Sequence, residues 1–176
     1  MHISSLNISG AFLIEPDFKQ DERGFFARAF CVQTFEDNGL NPKLEQSNIS
    51  FNFKKGTLRG MHYQNQPCAE VKIVRCTQGA IYDVILDIRR DSPTFGKWFA
   101  VELTQENRKM LYVPEGCAHG YQTLQDNCEV FYQVSARYAP QAEGGVRWDD
   151  PLFNISWPHE AKTISQKDTL YPDFKP

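Results

Sequence analysis

Short apolar and aromatic runs alternate with polar clusters along the whole chain, and few of them repeat at the helical period. Ten strand candidates follow from this pattern: Ala11–Glu15, Gly24–Phe30, Leu44–Phe53, Thr57–Gln64, Glu70–Thr77, Ala80–Arg89, Lys97–Leu103, Lys109–Val113, Gly120–Leu124 and Cys128–Tyr138. Turn-forming separators lie between them, among them Lys55-Gly56, Gln78-Gly79, Asp91-Ser92-Pro93, Pro114-Glu115-Gly116 and Gln125-Asp126-Asn127, the last suited to a hairpin. Only Val32–Asn38, closed by Gly39, and a stretch between His159 and Asp168 look helical. Many short strands at this spacing predict an all-β sandwich or jelly-roll barrel with a few short helices. No repeat, linker or low-complexity stretch divides the 176 residues, so a single domain over 1–176 is expected.

Strand parity sorts the side chains by face. Lys72 falls with Val74 and Cys76, Asp83 with Ile81 and Ile85, and Tyr132 with Val130 and Val134. Each of the three polar groups therefore shares a face with apolar neighbours, as polar residues of a barrel interior would. Taken singly, each also fits a solvated rim.

Composition narrows the function classes. Hydrophobic residues are 41% and charged residues 23%, which suits a soluble globular chain and excludes a disordered one. The 19 basic and 22 acidic side chains give a net charge of −3, with no basic excess for nucleic acid. No apolar run approaches the roughly 20 residues of a membrane helix, and the N-terminus has no signal-peptide pattern. The five cysteines are odd in number and contain no C-x-x-C, so reduced thiols and a cytoplasmic location are expected.

Two segments concentrate chemistry: Gly56-Thr57-Leu58-Arg59-Gly60-Met61-His62-Tyr63-Gln64 and Pro114-Glu115-Gly116-Cys117-Ala118-His119-Gly120. Their spacing, Gly-x5-His and then Pro-x-Gly-x-x-His, is that of the paired motifs of small-barrel cupins. In metal-binding cupins the first motif continues His-x-His, because residues i and i+2 of a strand share a face. Gln64 stands there instead, and Glu70 comes one residue late for the usual acidic ligand. Two histidines without a third nitrogen or a placed carboxylate make a poor zinc or iron site, so neither a metal nor another cofactor is expected.

With these landmarks in place the chain resembles the dTDP-4-dehydrorhamnose 3,5-epimerase family over about Glu15–Asp168. Further matches are Asp21-Glu22-Arg23-Gly24-Phe25-Phe26, Gln46-Ser47-Asn48, Lys72-Ile73-Val74-Arg75, Ser92-Pro93-Thr94-Phe95-Gly96-Lys97-Trp98 and Arg147-Trp148-Asp149-Asp150-Pro151. The resemblance implies a cupin-like, metal-free isomerase of deoxysugar biosynthesis acting on a nucleotide-diphosphate 4-keto-6-deoxyhexose. A proton next to the 4-keto group leaves from one face of the sugar and returns from the other. Such chemistry needs a base, an opposing acid and a cation at the carbonyl oxygen. The resemblance assigns His62 as base, Asp168 as its orienting carboxylate, Tyr132 as acid and Lys72 as cation. Asp83 is read as the group that holds Lys72 charged and in place. Arg23 and Arg59 match the diphosphate-binding arginines, with His119 nearby; Phe26, Arg28, Gln46, Asn48 and Tyr138 belong with the nucleotide-sugar pocket. The family also implies a homodimer, often with exchanged N-terminal strands. A non-catalytic sugar-nucleotide binding module and a metal-dependent cupin are the rival classes.

Two local features complicate the match. Arg28 stands where the family commonly has a glutamate able to accept the thymine N3–H; a donor-only side chain suits the acceptors of cytosine, so a CDP-linked substrate is the alternative. On an unbroken strand Arg59 and His62 would face opposite ways. Gly60 between them permits a bulge, and an irregularity is expected there, or else Arg59 works from the rim.

Overall fold

The computed structural model describes residues 1–175. In chain order its elements are β1 (His2–Ser5), β2 (Phe12–Glu15), β3 (Lys19–Asp21), β4 (Gly24–Phe26), α1 (Val32–Asp37), β5 (Gln46–Asn52), β6 (Thr57–Gln64) and β7 (Lys72–Gln78). They continue with β8 (Ala80–Asp87), β9 (Trp98–Thr104), β10 (Met110–Val113), β11 (Cys117–Thr123), β12 (Cys128–Val134), β13 (Glu143–Gly145), β14 (Thr163–Ile164) and α2 (Gln166–Thr169). One sheet runs β1-β2-β10-β7-β12-β5; the other runs β13-β6-β11-β8-β9, with β14 added in parallel to β6. Strands β3 and β4 form a separate hairpin. This is the expected all-β jelly-roll.

Alternation along the strands builds the interior. Val74, Cys76 and Val130 from the first sheet meet Ile81, Ile85, Leu103 and Tyr121 from the second in one buried cluster. Opposite parity feeds two outer layers. Ile73, Met110 and Tyr112 are covered by Phe35 of α1 and by Leu40. Val84, Leu86 and Ala118 are covered by the C-terminal residues Val146, Phe153 and Ile155. Both sheets thus bury both faces over much of their width, which explains why runs such as Ala80–Asp87 read as continuously apolar rather than alternating.

The helical stretch expected between His159 and Asp168 is a correction. Thr163–Ile164 pairs with Thr57–Leu58 as a strand, and only Gln166–Thr169 is helical. The β-branched pair favours the extended form, and Ser165 caps the short helix by accepting the Asp168 N–H at 3.1 Å. Strand Cys128–Val134 also ends earlier than its pattern suggested, so Tyr138 owes its position to the following loop and not to parity.

The irregularity expected at Gly60 is present. The β6–β11 register shifts between His119 and Tyr121, and Gly60 has φ of +122°. A Cβ on Gly60 would lie 2.6 Å from Gly120 Cα, and one on Gly120 would lie 2.8 Å from the Arg59 carbonyl oxygen. The two strands cross glycine on glycine, and the shift lets Arg59 and His62 both border the interior.

Candidate active site

The interior opens at one end into a cavity of about 430 Å³ lined by Gln46, Asn48, His62, Lys72, Tyr132 and Tyr138, together with Glu70 and Glu143. An adjoining space of about 190 Å³ continues between His62, Lys72 and Tyr132 toward Arg59, His119 and Tyr121. The first sheet supplies one wall through cross-strand rows. Tyr132 lies between Asn48 and Val74, and Val134 between Gln46 and Lys72. The second sheet supplies the other wall, where His62 stands opposite His119 and Arg59 opposite Tyr121. Imidazole and phenol therefore come from facing sheets, whose usual spacing of about 10 Å leaves room for a sugar ring.

Nε2 of His62 hydrogen-bonds Oδ1 of Asp168 at 2.7 Å. The other carboxylate oxygen accepts the Gly60 N–H at 3.2 Å. Asp168 is buried; desolvation by itself would raise its carboxyl, but the hydrogen bond from His62, that ring's field, Gly60 and Ser165 outweigh it and hold the group below its ordinary value. The carboxylate thus fixes the tautomer of His62 and leaves Nδ1 as the nitrogen able to accept a proton. Tyr132 is shifted the other way: burial first, then the nearby Glu70 carboxylate, raise its phenol against a smaller opposing effect of Arg59.

Asp83 is the clear correction to the expected roles. It does not hold Lys72. Its Oδ1 hydrogen-bonds Nε2 of His119 at 2.8 Å, and its Oδ2 is buried without a partner. Lys72 pairs with Glu70 at 3.3 Å. Parity placed Asp83 on the correct face but on the second sheet, paired with Tyr121 and Val101 at the floor.

Arg59 is exposed at the rim. Its Nε donates to Asn52 Oδ1 at 2.7 Å, while the Asn52 amide donates to the Tyr121 hydroxyl at 3.3 Å. That hydroxyl also bonds Ser50 at 2.9 Å. Tyr138 donates its backbone N–H to Oε1 of Gln46 at 2.8 Å and its hydroxyl to Glu143 at 2.9 Å. Hydrogen bonding to Glu143 raises the Tyr138 phenol.

Three expected residues do not join the cavity in a single chain. Arg23 and Phe26 lie on or beside the β3–β4 hairpin, and Arg28 follows it; all three are exposed and absent from the cavity walls. Arg23 is engaged instead with Asp21 at 2.6 Å. The residues that sequence reasoning missed are Glu70, Glu143, Ser50, Asn52 and Tyr121. Glu70 stands two residues before Lys72, a spacing that could have paired them; nothing in the sequence points to Glu143, which follows the short turn Pro140–Ala142.

A jelly-roll barrel with an aspartate-backed histidine and a tyrosine on facing walls defines a class of protein, a cupin-like isomerase. A family model described as dTDP-4-dehydrorhamnose 3,5-epimerase matches residues 5–176. The protein of that name from Sinorhizobium fredii is 42% identical over 175 residues, covering 99% of this chain and 90% of the relative. The crystal structure of dTDP-4-dehydrorhamnose 3,5-epimerase from Elizabethkingia anophelis superposes with a TM-score of 0.95 at 37% identity, covering 99% of this chain and 96% of that one. The structure of dTDP-6-deoxy-D-glucose-3,5-epimerase from Legionella pneumophila in complex with dTDP-4-keto-L-rhamnose gives 0.90 at 36% identity, covering 97% and 90%. The chain belongs to the dTDP-4-dehydrorhamnose 3,5-epimerase family.

Proposed function

We propose that the protein inverts C3 and C5 of a dTDP-linked 4-keto-6-deoxyhexose by proton abstraction and return. The observation that carries this reading is the placement of His62, Lys72 and Tyr132 around one cavity, with imidazole and phenol on opposite sheets. His62 Nδ1 takes the proton from the carbon beside the carbonyl. The C–H electron pair moves into the ring bond and the carbonyl pair onto O4, where the Lys72 ammonium neutralises the enolate. Tyr132 then delivers a proton to the same carbon from the other wall, the carbonyl re-forms, and the centre is inverted. The imidazolium and the phenolate return to their starting states by exchange with solvent. C3 and C5 both flank C4, so a small change of ring pose offers either one to the same pair.

Arg59 and His119, at the narrower end, are the groups for the diphosphate. Tyr138, at the wider mouth, offers its ring face to the sugar end of the substrate. Arg23, Phe26 and Arg28 fit this reading as residues given to the cavity of a second copy. Phe26, Ile49 and Phe53 are 64%, 67% and 72% exposed, an unusual outlay of large apolar surface on the β3–β4 hairpin and on or directly after β5, an edge strand. A homodimer that covers them follows, and sedimentation equilibrium at micromolar concentration should return twice the chain mass. A monomer at those concentrations would remove Arg23, Phe26 and Arg28 from the site. The five thiols are free, which agrees with a reducing cytoplasm.

The activity is tested by incubating the protein with dTDP-4-keto-6-deoxyglucose in D2O and locating deuterium by NMR. Incorporation at C3 and C5 is expected. The CDP-linked sugar serves as the parallel arm, since Arg28 has no contact with the cavity of its own chain; faster exchange on the CDP sugar would transfer the substrate assignment to cytidine.

A further inference from the structure

The cavity and its surroundings hold four carboxylates whose partners can be traced. Asp168 is bound to His62, and Asp83 to His119. Glu143 is divided between the Tyr138 hydroxyl at 2.9 Å and Lys167 Nζ at 2.5 Å. The fourth, Glu70, faces Lys72 at 3.3 Å, with side-chain exposures of 10% for the glutamate and 12% for the lysine. Its other oxygen accepts from the Gln64 amide at 3.1 Å. Gln64 is itself buried and tied to the loops on either side: its amide reaches the Cys68 carbonyl at 2.9 Å and the Arg137 carbonyl at 3.2 Å, and its oxygen accepts the Ala139 N–H at 2.7 Å.

We propose that Glu70 is a positioning residue of the epimerase site: braced by Gln64, its carboxylate aims the Lys72 ammonium into the cavity and sets the local field in which Tyr132 gives up its proton. The inference rests on the reading of Lys72 and Tyr132 given above and deepens it.

The physical argument has three parts. A lysine has a long, freely rotating stem and a point charge with no preferred plane, so an oxyanion cation needs a fixed partner to hold it. An ion pair this far removed from water costs more desolvation than an apolar pair of the same volume would, so stability alone gives little reason for it here. Glu70 also acts on Tyr132, because its negative charge opposes phenolate formation and adds to burial in raising the phenol. The other titratable or charged groups around Tyr132 are His62 and Arg59 from β6, Lys72 from β7, His119 and Tyr121 from β11, and Tyr138 and Glu143 at the mouth. Among them Arg59 opposes the Glu70 effect.

The test is Glu70→Gln, which keeps the shape and removes the charge. With tyrosine labelled at 13Cζ and the Tyr132 signal assigned by its loss in Tyr132→Phe, the phenol midpoint of the free protein should move to lower pH than in the unsubstituted protein. With substrate, kcat should fall on the order of 10²-fold with KM little changed, as expected when a transition-state group is mispositioned. Glu70→Asp, which restores charge but not reach, should return the titration most of the way and kcat only part of the way; it also carries the test if the glutamine variant folds poorly. A Tyr132 titration superimposable on the original, with turnover within about twofold, overturns the proposal. Because the titration needs no substrate, an inactive but otherwise intact protein would count against the activity reading alone.

Discussion

His62→Ala should abolish deuterium exchange at both C3 and C5 and lower turnover by on the order of 10²- to 10⁴-fold, the range carried by a positioned general base. Both carbons depend on one imidazole, because among the described residues the other candidate bases on that wall are withdrawn: the His119 side chain is 9% exposed against 31% for His62, Glu143 is engaged by Tyr138 and Lys167, and Asp168 lies behind His62. The variant leaves the Asp168 carboxylate buried with the Gly60 N–H as its remaining backbone donor, so its thermal midpoint should be recorded alongside. Binding of dTDP should survive, since Arg59 is held by Asn52 and does not rely on the ring. Residual exchange at one carbon at the original rate would mean that a different base serves that centre, and the single-base mechanism would fail.

The second large effect belongs to Tyr132→Phe, and it should differ in kind. Abstraction requires His62 and Lys72 but not the phenol, so exchange of solvent deuterium into the substrate should continue while inversion falls on the order of 10²-fold or more. The ring stays in place against the interior cluster, so folding should be unaffected. NMR of the recovered sugar separates the outcomes: deuterium with retained configuration supports the assignment, whereas inverted product at the normal rate shows that another acid stands on that wall. The raised phenol of Tyr132 bears on pH as well. Its burial and the Glu70 carboxylate raise it above the ordinary phenol value, so the acid is in its donating form at neutral pH.

How far these roles were legible differed from residue to residue. Tyr132 and Lys72 could be placed on the interior face because a strand alternates strictly: Tyr132 sits between Val130 and Val134, and Lys72 is followed at the same parity by Val74 and Cys76. His62 was marked by its motif, and even its conflict with Arg59 was soluble, since glycine is the residue at which a strand can shift register. Asp83 shows the limit. Parity put it inside correctly, yet parity carries no information about which sheet lies across from it, and the partner given to it was wrong. Glu143 and Ser165 gave no signal because they stand at ends of short segments whose course depends on the rest of the barrel. Family resemblance supplied Asp168, which no pattern in its own neighbourhood could have connected to a histidine 106 positions earlier.

What the chain by itself determined is therefore the local and the periodic: an all-β domain, the strands and their inward faces, the glycine hinge at Gly60, and the residue types able to move a proton. Tertiary structure alone decided the pairings: Asp168 behind His62, Asp83 under His119, Glu70 on Lys72, and the hairpin with Arg23 turned away from its own cavity. The reason is physical. Side-chain direction is written by each residue's own backbone and its immediate neighbours, whereas a hydrogen-bond partner is chosen by the packing of two sheets whose strands come from distant parts of the chain.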